Sequence, residues 1–138
     1  MPIRAYHLIS NRYDSEAESV TAPQDLGGTT VKRASLYVVL DLQLGAPTDN
    51  LVLSVDFSPN DGATLVDYDK LLTEGGTDAP VASVTYAGPI ADTDDIVDIS
   101  PETVFDYISV TLAAANAGAT RFGAAAYVQA DCWLVVEY

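Results

Sequence analysis

The chain has 138 residues and a mass of 14.6 kDa, enough for one domain with its own hydrophobic core. Hydrophobic residues make up 49% of it, so the composition excludes a disordered chain. Six basic and 20 acidic residues give a net charge of −14, which argues against nucleic acid and anionic membranes as direct partners, because both are bound through basic patches.

The first 22 residues differ in composition from the rest, since they hold two of the arginines and the only histidine. Two interpretations are open. Residues 1–22 form an N-terminal arm outside a sandwich domain of residues 23–138, or residues 3–9 form a short edge strand. In the first, the arm contacts a neighbouring molecule, and removing residues 1–16 leaves a folded sandwich with weakened assembly. The candidate interface residues of the arm are Ile3, Arg4, Tyr6, Leu8, Ile9 and Arg12.

Two consecutive segments alternate apolar and polar residues. In residues 34–44 the even positions from Leu36 to Leu44 are apolar, and in residues 51–57 the odd positions are apolar. A period of two is typical of a strand with one buried face. Residues 45–50 have the composition of a turn, so the two strands are predicted to pair as a hairpin. An Asp-Gly pair at residues 61–62 ends the second strand.

Further strands are predicted over residues 64–68, 81–87 and 104–112. Residues 122–138 form one long strand, or two with a bulge near Asp131. The alanine-rich residues 113–117 are too short for an independent helix and are predicted as a loop. Frequent turn signals without a long amphipathic helix indicate an all-β fold, an antiparallel, jelly-roll-like β-sandwich with an N-terminal arm.

Catalytic motifs are absent from the sequence. His7 is the only histidine, and no nucleophile motif, P-loop or dinucleotide fingerprint occurs. The many acids leave a carboxylate pair of the glycosidase type open, but abundance alone identifies no pair. We predict a protein that is not an enzyme, with no catalytic residue and no cofactor.

Cys132 is the only cysteine, so the chain forms no internal disulfide, and its strand-like surroundings predict a buried, inert thiol. The N-terminus lacks the apolar core of a signal peptide, and no apolar run approaches the length of a membrane span. We therefore expect synthesis and folding in a cytoplasm.

One segment, residues 92–98, concentrates carboxylates of the kind that bind Ca²⁺. The EF-hand pattern fails there, because Val97 and Thr103 stand where it requires Gly and Glu. A solvated acidic turn is preferred to a cation site, and no metal ligand is assigned. The acidic residues of the segment are Asp92, Asp94, Asp95 and Asp98.

No Lys or Arg lies between Lys70 and Arg121, although this stretch holds eight acidic residues. The excess indicates a solvated, self-repelling surface or an adaptation to high salt, and in both cases stability is predicted to rise with ionic strength. The 12 aromatic residues leave a sugar-binding face open, although Phe57, Phe105 and Tyr107 lie in alternating strands and are predicted to pack in the core.

The order of segments over residues 18–138 resembles the jelly-roll head decoration (cement) proteins of tailed viruses, including bacteriophages. The likeness comprises an Asp-Leu-Gly-Gly segment (residues 25–28), a strand that ends in a Ser…Asp-Gly turn (residues 58–62) and a Tyr-x-x-Val-Thr-Leu strand (residues 107–112). The sequence departs from the pattern at residues 63–65, where a Trp is usual, and at residues 107–109, where an Arg is usual.

The resemblance implies a non-enzymatic virion structural protein, a capsid decoration protein that binds the major capsid protein shell and stabilises the head. It also implies a homotrimer on the capsid surface, synthesised in the host cytoplasm. The alternatives are a tail or neck component of a tailed virus and, outside virions, a carbohydrate-binding β-sandwich.

Overall fold

Ten β-strands and one turn of 3₁₀-helix form the regular structure in a computed structural model, which describes residues 3–13, 19–26, 31–45, 49–60, 62–100, 106–114 and 127–138. The strands are β1 (Ile3–Tyr13), β2 (Ser19–Asp25), β3 (Arg33–Leu44), β4 (Leu51–Ser58), β5 (Val66–Tyr68), β6 (Leu71–Leu72), β7 (Ser83–Tyr86), β8 (Thr93–Ile99), β9 (Tyr107–Ala114) and β10 (Tyr127–Glu137). The 3₁₀ turn is Glu74–Gly76, and the described residues contain no α-helix. The predicted all-β class is confirmed.

The strands form two antiparallel sheets. Sheet A has the order β1-β10-β3-β8-β6. Sheet B has the order β2-β9-β4, and the free edge of β4 pairs with β7 along its first half and with β5 along its second. The chain changes sheet at almost every connection, which sets β1-β10-β3-β8 against β2-β9-β4-β7 in the manner of a jelly roll. The predicted antiparallel, jelly-roll-like sandwich is confirmed.

The core lies between the sheets and consists of every second side chain of the long strands. In β10 the five inward residues are buried and the six between them are only partly exposed. Each buried Leu or Val stabilises the fold by roughly 1.5–3 kcal/mol relative to leaving it exposed. The predicted alternation in β3 also holds, except that Leu44 is 48% exposed. The inward residues of β10 are Val128, Ala130, Cys132, Leu134 and Val136.

The hairpin predicted between residues 34–44 and 51–57 is wrong. β3 pairs with β10 and β8 in sheet A, whereas β4 pairs with β9, β7 and β5 in sheet B. A turn composition shows that the chain reverses, but it does not distinguish a hairpin from an arch that crosses to the opposite sheet. Both strands bury one face in either case, so the period of two is the same.

Residues 3–13 form the edge strand of sheet A. β1 pairs with the whole of β10, from Ile3 opposite Glu137 to Tyr13 opposite Val128. The edge-strand interpretation is therefore correct, although the strand is longer than residues 3–9. The separate arm is wrong for these residues, and its boundary at residue 22 falls inside β2. Because Ile9 and Tyr13 are fully buried, a chain without residues 1–16 loses part of its core.

The acidic segment 92–98 is a strand and not a turn. β8 covers it almost completely and lies between β3 and β6 in sheet A. Aspartate is unfavourable in strands, and only Val97 and Ile99 supply an apolar alternation there, so the sequence signal is weak. β6, which is two residues long, was not predicted either.

The last strand is continuous, and the irregularity expected near Asp131 lies on its neighbour. His7 is opposite Trp133 and Ile9 is opposite Cys132, so Leu8 is an extra residue in β1. Several predicted features lie outside the described residues. They are the strand residues 104–105 and 122–126, the loop residues 115–117, Asp61 of the Asp-Gly turn and residues 27–28.

Candidate functional site

A row of four side chains crosses four neighbouring strands on the outer face of sheet A. His7 on β1 lies opposite Trp133 on β10, Trp133 lies opposite Tyr37 on β3, and Tyr37 lies opposite Ile96 on β8. Tyr37 and Ile96 are 42% and 43% exposed, His7 is exposed and Trp133 is half-buried. We call these four residues the aromatic row.

The His7 side chain is fixed in the row by two contacts. Its ring is stacked on that of Trp133, with the ring centroids 4.3 Å apart and the planes inclined by 8°. Its Nε2 lies 2.9 Å from Oδ1 of Asp131, which is on the same face of β10 as Trp133. Cross-strand aromatic pairs of this kind stabilise a sheet. The row is therefore a preformed surface even at the edge strand.

Carboxylates and aliphatic side chains lie on both sides of the aromatic row. Asp98 accepts a 2.6 Å hydrogen bond from Oγ of Ser35, whereas Asp94 has no hydrogen-bond or ion-pair partner among the described residues. One flanking row consists of Ser10, Asp131, Val39 and Asp94, and the other of Ala5, Val135, Ser35 and Asp98. Neither flanking row contains Lys or Arg.

The arginines of this face lie one row farther out. Arg12 is opposite Gln129 on β10, and its guanidinium carbon is 3.6 Å from the centroid of the Tyr127 ring. Arg33 is opposite Glu137. The centre of the outer face of sheet A is consequently apolar and aromatic, its immediate border is acidic, and its cations are peripheral.

The outer face of sheet B has a different character. One row across β2, β9, β4 and β7 consists of Thr21, Thr111, Ser54 and Ser83. The hydroxyl oxygens of Thr21 and Thr111 are hydrogen-bonded at 2.9 Å. Small hydroxyl side chains are well solvated by water, so this row is hydrophilic, in contrast to the aromatic row.

The six candidate interface residues do not form one surface. Ile9 is 1% exposed and belongs to the core, so its assignment to an interface is wrong. Tyr6 and Leu8 are half-buried and pack against the core, and the Tyr6 hydroxyl is hydrogen-bonded to that of Tyr138. Arg4 is exposed, and only Ile3, at 65% exposure, and Arg12 project from the outer face of sheet A.

His7 and Cys132, the only histidine and the only cysteine of the sequence, lie on opposite faces of sheet A. The Cys132 thiol is buried in the core, and burial raises its pKa to about 12. A protonated, buried thiol is unreactive, as the sequence predicts. Nε2 of His7 is engaged by Asp131, and no hydroxyl or thiol among the described residues is hydrogen-bonded to His7.

Strand geometry separates the carboxylates of residues 92–98. Asp94 and Asp98 point to the outer face of sheet A, whereas Asp95 accepts a 2.9 Å hydrogen bond from the Tyr86 hydroxyl at the edge of the sandwich. Asp92 accepts a 2.8 Å hydrogen bond from the backbone N–H of Leu42. Within the described part of the chain, no three acidic, His or Cys side chains converge as a metal site.

The surface of the described residues includes shallow depressions. One, of about 160 Å³, adjoins the aromatic row and is lined by Ile3, Arg33, Ser35, Tyr37, Val135 and Glu137. Another, of about 390 Å³, lies between β7 and β8 beside Tyr86. Burial and the negative charge of Asp95 raise the pKa of Tyr86, so its hydroxyl stays a hydrogen-bond donor in the folded protein.

The sequence contains a signal for the aromatic row in the outward positions of β3 and β10. β3 and β10 include the apolar runs Leu36–Leu40 and Trp133–Val136, in which both faces are apolar. A half-buried strand with one solvated face is expected to be polar at every second position. Tyr37 and Trp133 occupy such positions, where a polar residue is expected.

The sequence matches no model of a known protein family, and no curated protein sequence is similar to it. Among the described residues, no helix is long and apolar enough to cross a membrane.

Proposed function

We propose that this chain is a non-enzymatic structural protein of a tailed virus, and within the virion a capsid decoration protein. It binds the shell of the major capsid protein on the outer surface of the head and stabilises it. The sequence resemblance described above suggests this class, and two properties of the folded chain support it.

The first property is the fold. A jelly-roll-like sandwich with a filled core stands alone as a rigid module, which suits a protein whose role is to be attached to a shell in many copies. Attachment at many symmetry-related sites multiplies the effect of a modest affinity on the stability of the assembly.

The second property, the aromatic row, is the single observation that carries the proposal. Tyr37, opposite Trp133, and Ile96, opposite Tyr37, expose apolar surface on the outer face of sheet A. Apolar and aromatic side chains grouped on an otherwise polar surface mark a site of protein association. A decoration protein needs one such face.

Carbohydrate binding is the second candidate, because aromatic side chains are also what a sugar-binding sandwich exposes. The stacking of His7 on Trp133 argues against it, since one face of the indole is covered at 4.3 Å and is not free to receive a sugar ring. A glycan array with the purified protein separates the two candidates, and specific glycan binding would favour the second.

The test of the proposed function uses undecorated capsids assembled from the major capsid protein of the same virus. The purified chain is added, the capsids are sedimented, and bound copies are counted. We expect saturable binding at a fixed number of copies per capsid, in threes if the protein is a homotrimer, and a higher temperature of capsid disruption. If the chain stays in the supernatant at every concentration, the proposed function is wrong, and binding to isolated tails would indicate a tail or neck component.

A further inference from the structure

We infer that the outer face of sheet A is the surface that meets the shell, and that its occupant is a protein surface with an apolar centre bordered by Lys or Arg. This inference rests on the proposed function. It places the docking surface on sheet A and not on the N-terminal arm expected from the sequence, and it names the chemistry of the partner.

The difference between the two outer faces selects sheet A. A row across four strands of sheet A consists of His7, Trp133, Tyr37 and Ile96, whereas a row across four strands of sheet B consists of small hydroxyl residues. Val39 and Val135 extend the apolar area of sheet A on both sides of the row. All of these side chains lie on strands that pair within sheet A, so the surface keeps its shape when a partner binds.

Charge then decides what kind of partner fits. Three carboxylates, those of Asp94, Asp98 and Asp131, stand in the two rows that flank the aromatic row, where no Lys or Arg is present. Asp94 has no hydrogen-bond or ion-pair partner among the described residues. A partner that buries the row must therefore present cations or N–H donors to this border, because a buried and unpaired carboxylate is costly.

A second copy of this chain is a poor occupant of the same face. Two copies that meet through the aromatic row place the same acidic borders close together, and each chain carries a net charge of −14. The peripheral Arg12 is already held against the Tyr127 ring. A basic protein surface is attracted to the acidic border, whereas the acidic border of a second copy repels it.

The experiment compares two double variants that remove matched amounts of exposed apolar surface. Tyr37→Thr/Ile96→Thr changes side chains that are 42% and 43% exposed on the outer face of sheet A. The control, Leu65→Thr/Val66→Thr, changes side chains that are 49% and 45% exposed at the β5 edge of sheet B. Threonine keeps the preference for strand, and a thermal melt of each variant verifies the fold.

Affinity for undecorated capsids is measured for wild type, both double variants and Asp94→Lys. We expect the sheet A variant to bind about tenfold more weakly or worse, as for central residues of an interface, and the control to bind like wild type. Asp94→Lys is expected to slow association several-fold, and added NaCl to slow association of the wild type, because a border charge acts mainly on the rate of encounter.

Equal binding by the sheet A variant and wild type, or equal weakening by the control, overturns the inference and leaves the proposed function in place. Faster association of Asp94→Lys with the capsid contradicts the inference that the partner surface is basic. If the wild type itself does not bind, the proposed function and this inference fail together. If analytical ultracentrifugation detects dimers that only Tyr37→Thr/Ile96→Thr abolishes, the occupant of this face is a second copy of the chain.

Discussion

The hydroxyl of Tyr13 donates a 2.6 Å hydrogen bond to the carbonyl oxygen of Leu112. Tyr13 ends β1 at the edge of sheet A, and Leu112 lies on β9 in the interior of sheet B. The tyrosine is fully buried. This side chain therefore bonds β1, which is a strand of sheet A, to sheet B as well. Through both sets of contacts β1 is part of the sandwich.

Replacing Tyr13 with Phe is expected to destabilise the protein by about 1–3 kcal/mol, because it removes a buried donor from its acceptor. Urea unfolding measures the change. Tyr6→Phe is the control, since the Tyr6 hydroxyl bonds to that of Tyr138 at a half-buried position and its loss is expected to cost less. A Tyr13→Phe protein as stable as wild type would show that the bond contributes nothing.

Removal of residues 1–16 is expected to abolish cooperative unfolding or to lower the melting temperature sharply. The truncated chain lacks β1, including the buried side chains of Ile9 and Tyr13, and leaves the edge of β10 uncovered. Loss of one large buried side chain alone costs about 2–5 kcal/mol. A truncated protein that melts cooperatively near the wild-type temperature would restore the arm interpretation.

Stability is expected to rise with ionic strength. The chain has six basic residues for 20 acidic ones, so most of its carboxylates have no cation to compensate them. Salt screens their repulsion, which is strongest in the compact state. Melting temperatures from low to molar NaCl should climb, and a flat or falling series would contradict this explanation.

Asp67→Asn is expected to stabilise the protein near neutral pH by about 0.2–1 kcal/mol, because like charges opposite each other weaken a sheet. Asp67 lies directly opposite Asp56 on β4. Burial, and then the hydrogen bond and negative charge of Asp67, raise the pKa of Asp56 above its usual 3.8.

The increase in stability expected for Asp67→Asn depends on pH. The raised pKa favours the folded state while Asp56 is protonated, and this contribution is lost as the pH rises above 3.8 and through the folded-state pKa. The advantage of Asp67→Asn should therefore shrink as the pH falls toward 3.8. Asp41→Asn, opposite the neutral Gln129, controls for net charge and should stabilise less.

The Cys132 thiol is expected to resist a thiol reagent at pH 8 in the native protein and to react on denaturation. Burial raises its pKa from 9.0 to about 12, so its contribution to stability is complete below pH 9 and is lost as the pH rises toward 12. Cys132→Ala should lose less stability than wild type over that range. Rapid labelling of the native protein would show that the core opens.

The sequence predicts best what depends on one strand at a time. The alternation in residues 34–44 and 51–57 identifies the inward residues of β3 and β4, and Gly62 has the positive φ, 86°, that the Asp-Gly turn requires. A hypothetical Cβ at Gly62 would also lie 3.1 Å from the Tyr107 ring, a contact between distant parts of the chain that no local pattern reveals.

The features missed depend on how the strands are arranged. The turn between β3 and β4 predicts that they pair, but they lie in different sheets. The low strand propensity of aspartate predicts an acidic turn at β8, but the place of β8 between two strands of sheet A overrides that preference. The aromatic row assembles from four strands distant in the sequence, so only the register brings Trp133 beside Tyr37 and His7.

The most direct measurement is a cryo-electron microscopy reconstruction of capsids to which the protein has been added. We expect the chain to occupy symmetry-related positions on the outer surface, with the outer face of sheet A, and therefore Tyr37 and Ile96, against basic residues of the shell. A reconstruction in which that face points to solvent, or in which the capsid surface is bare at saturating protein, would contradict it.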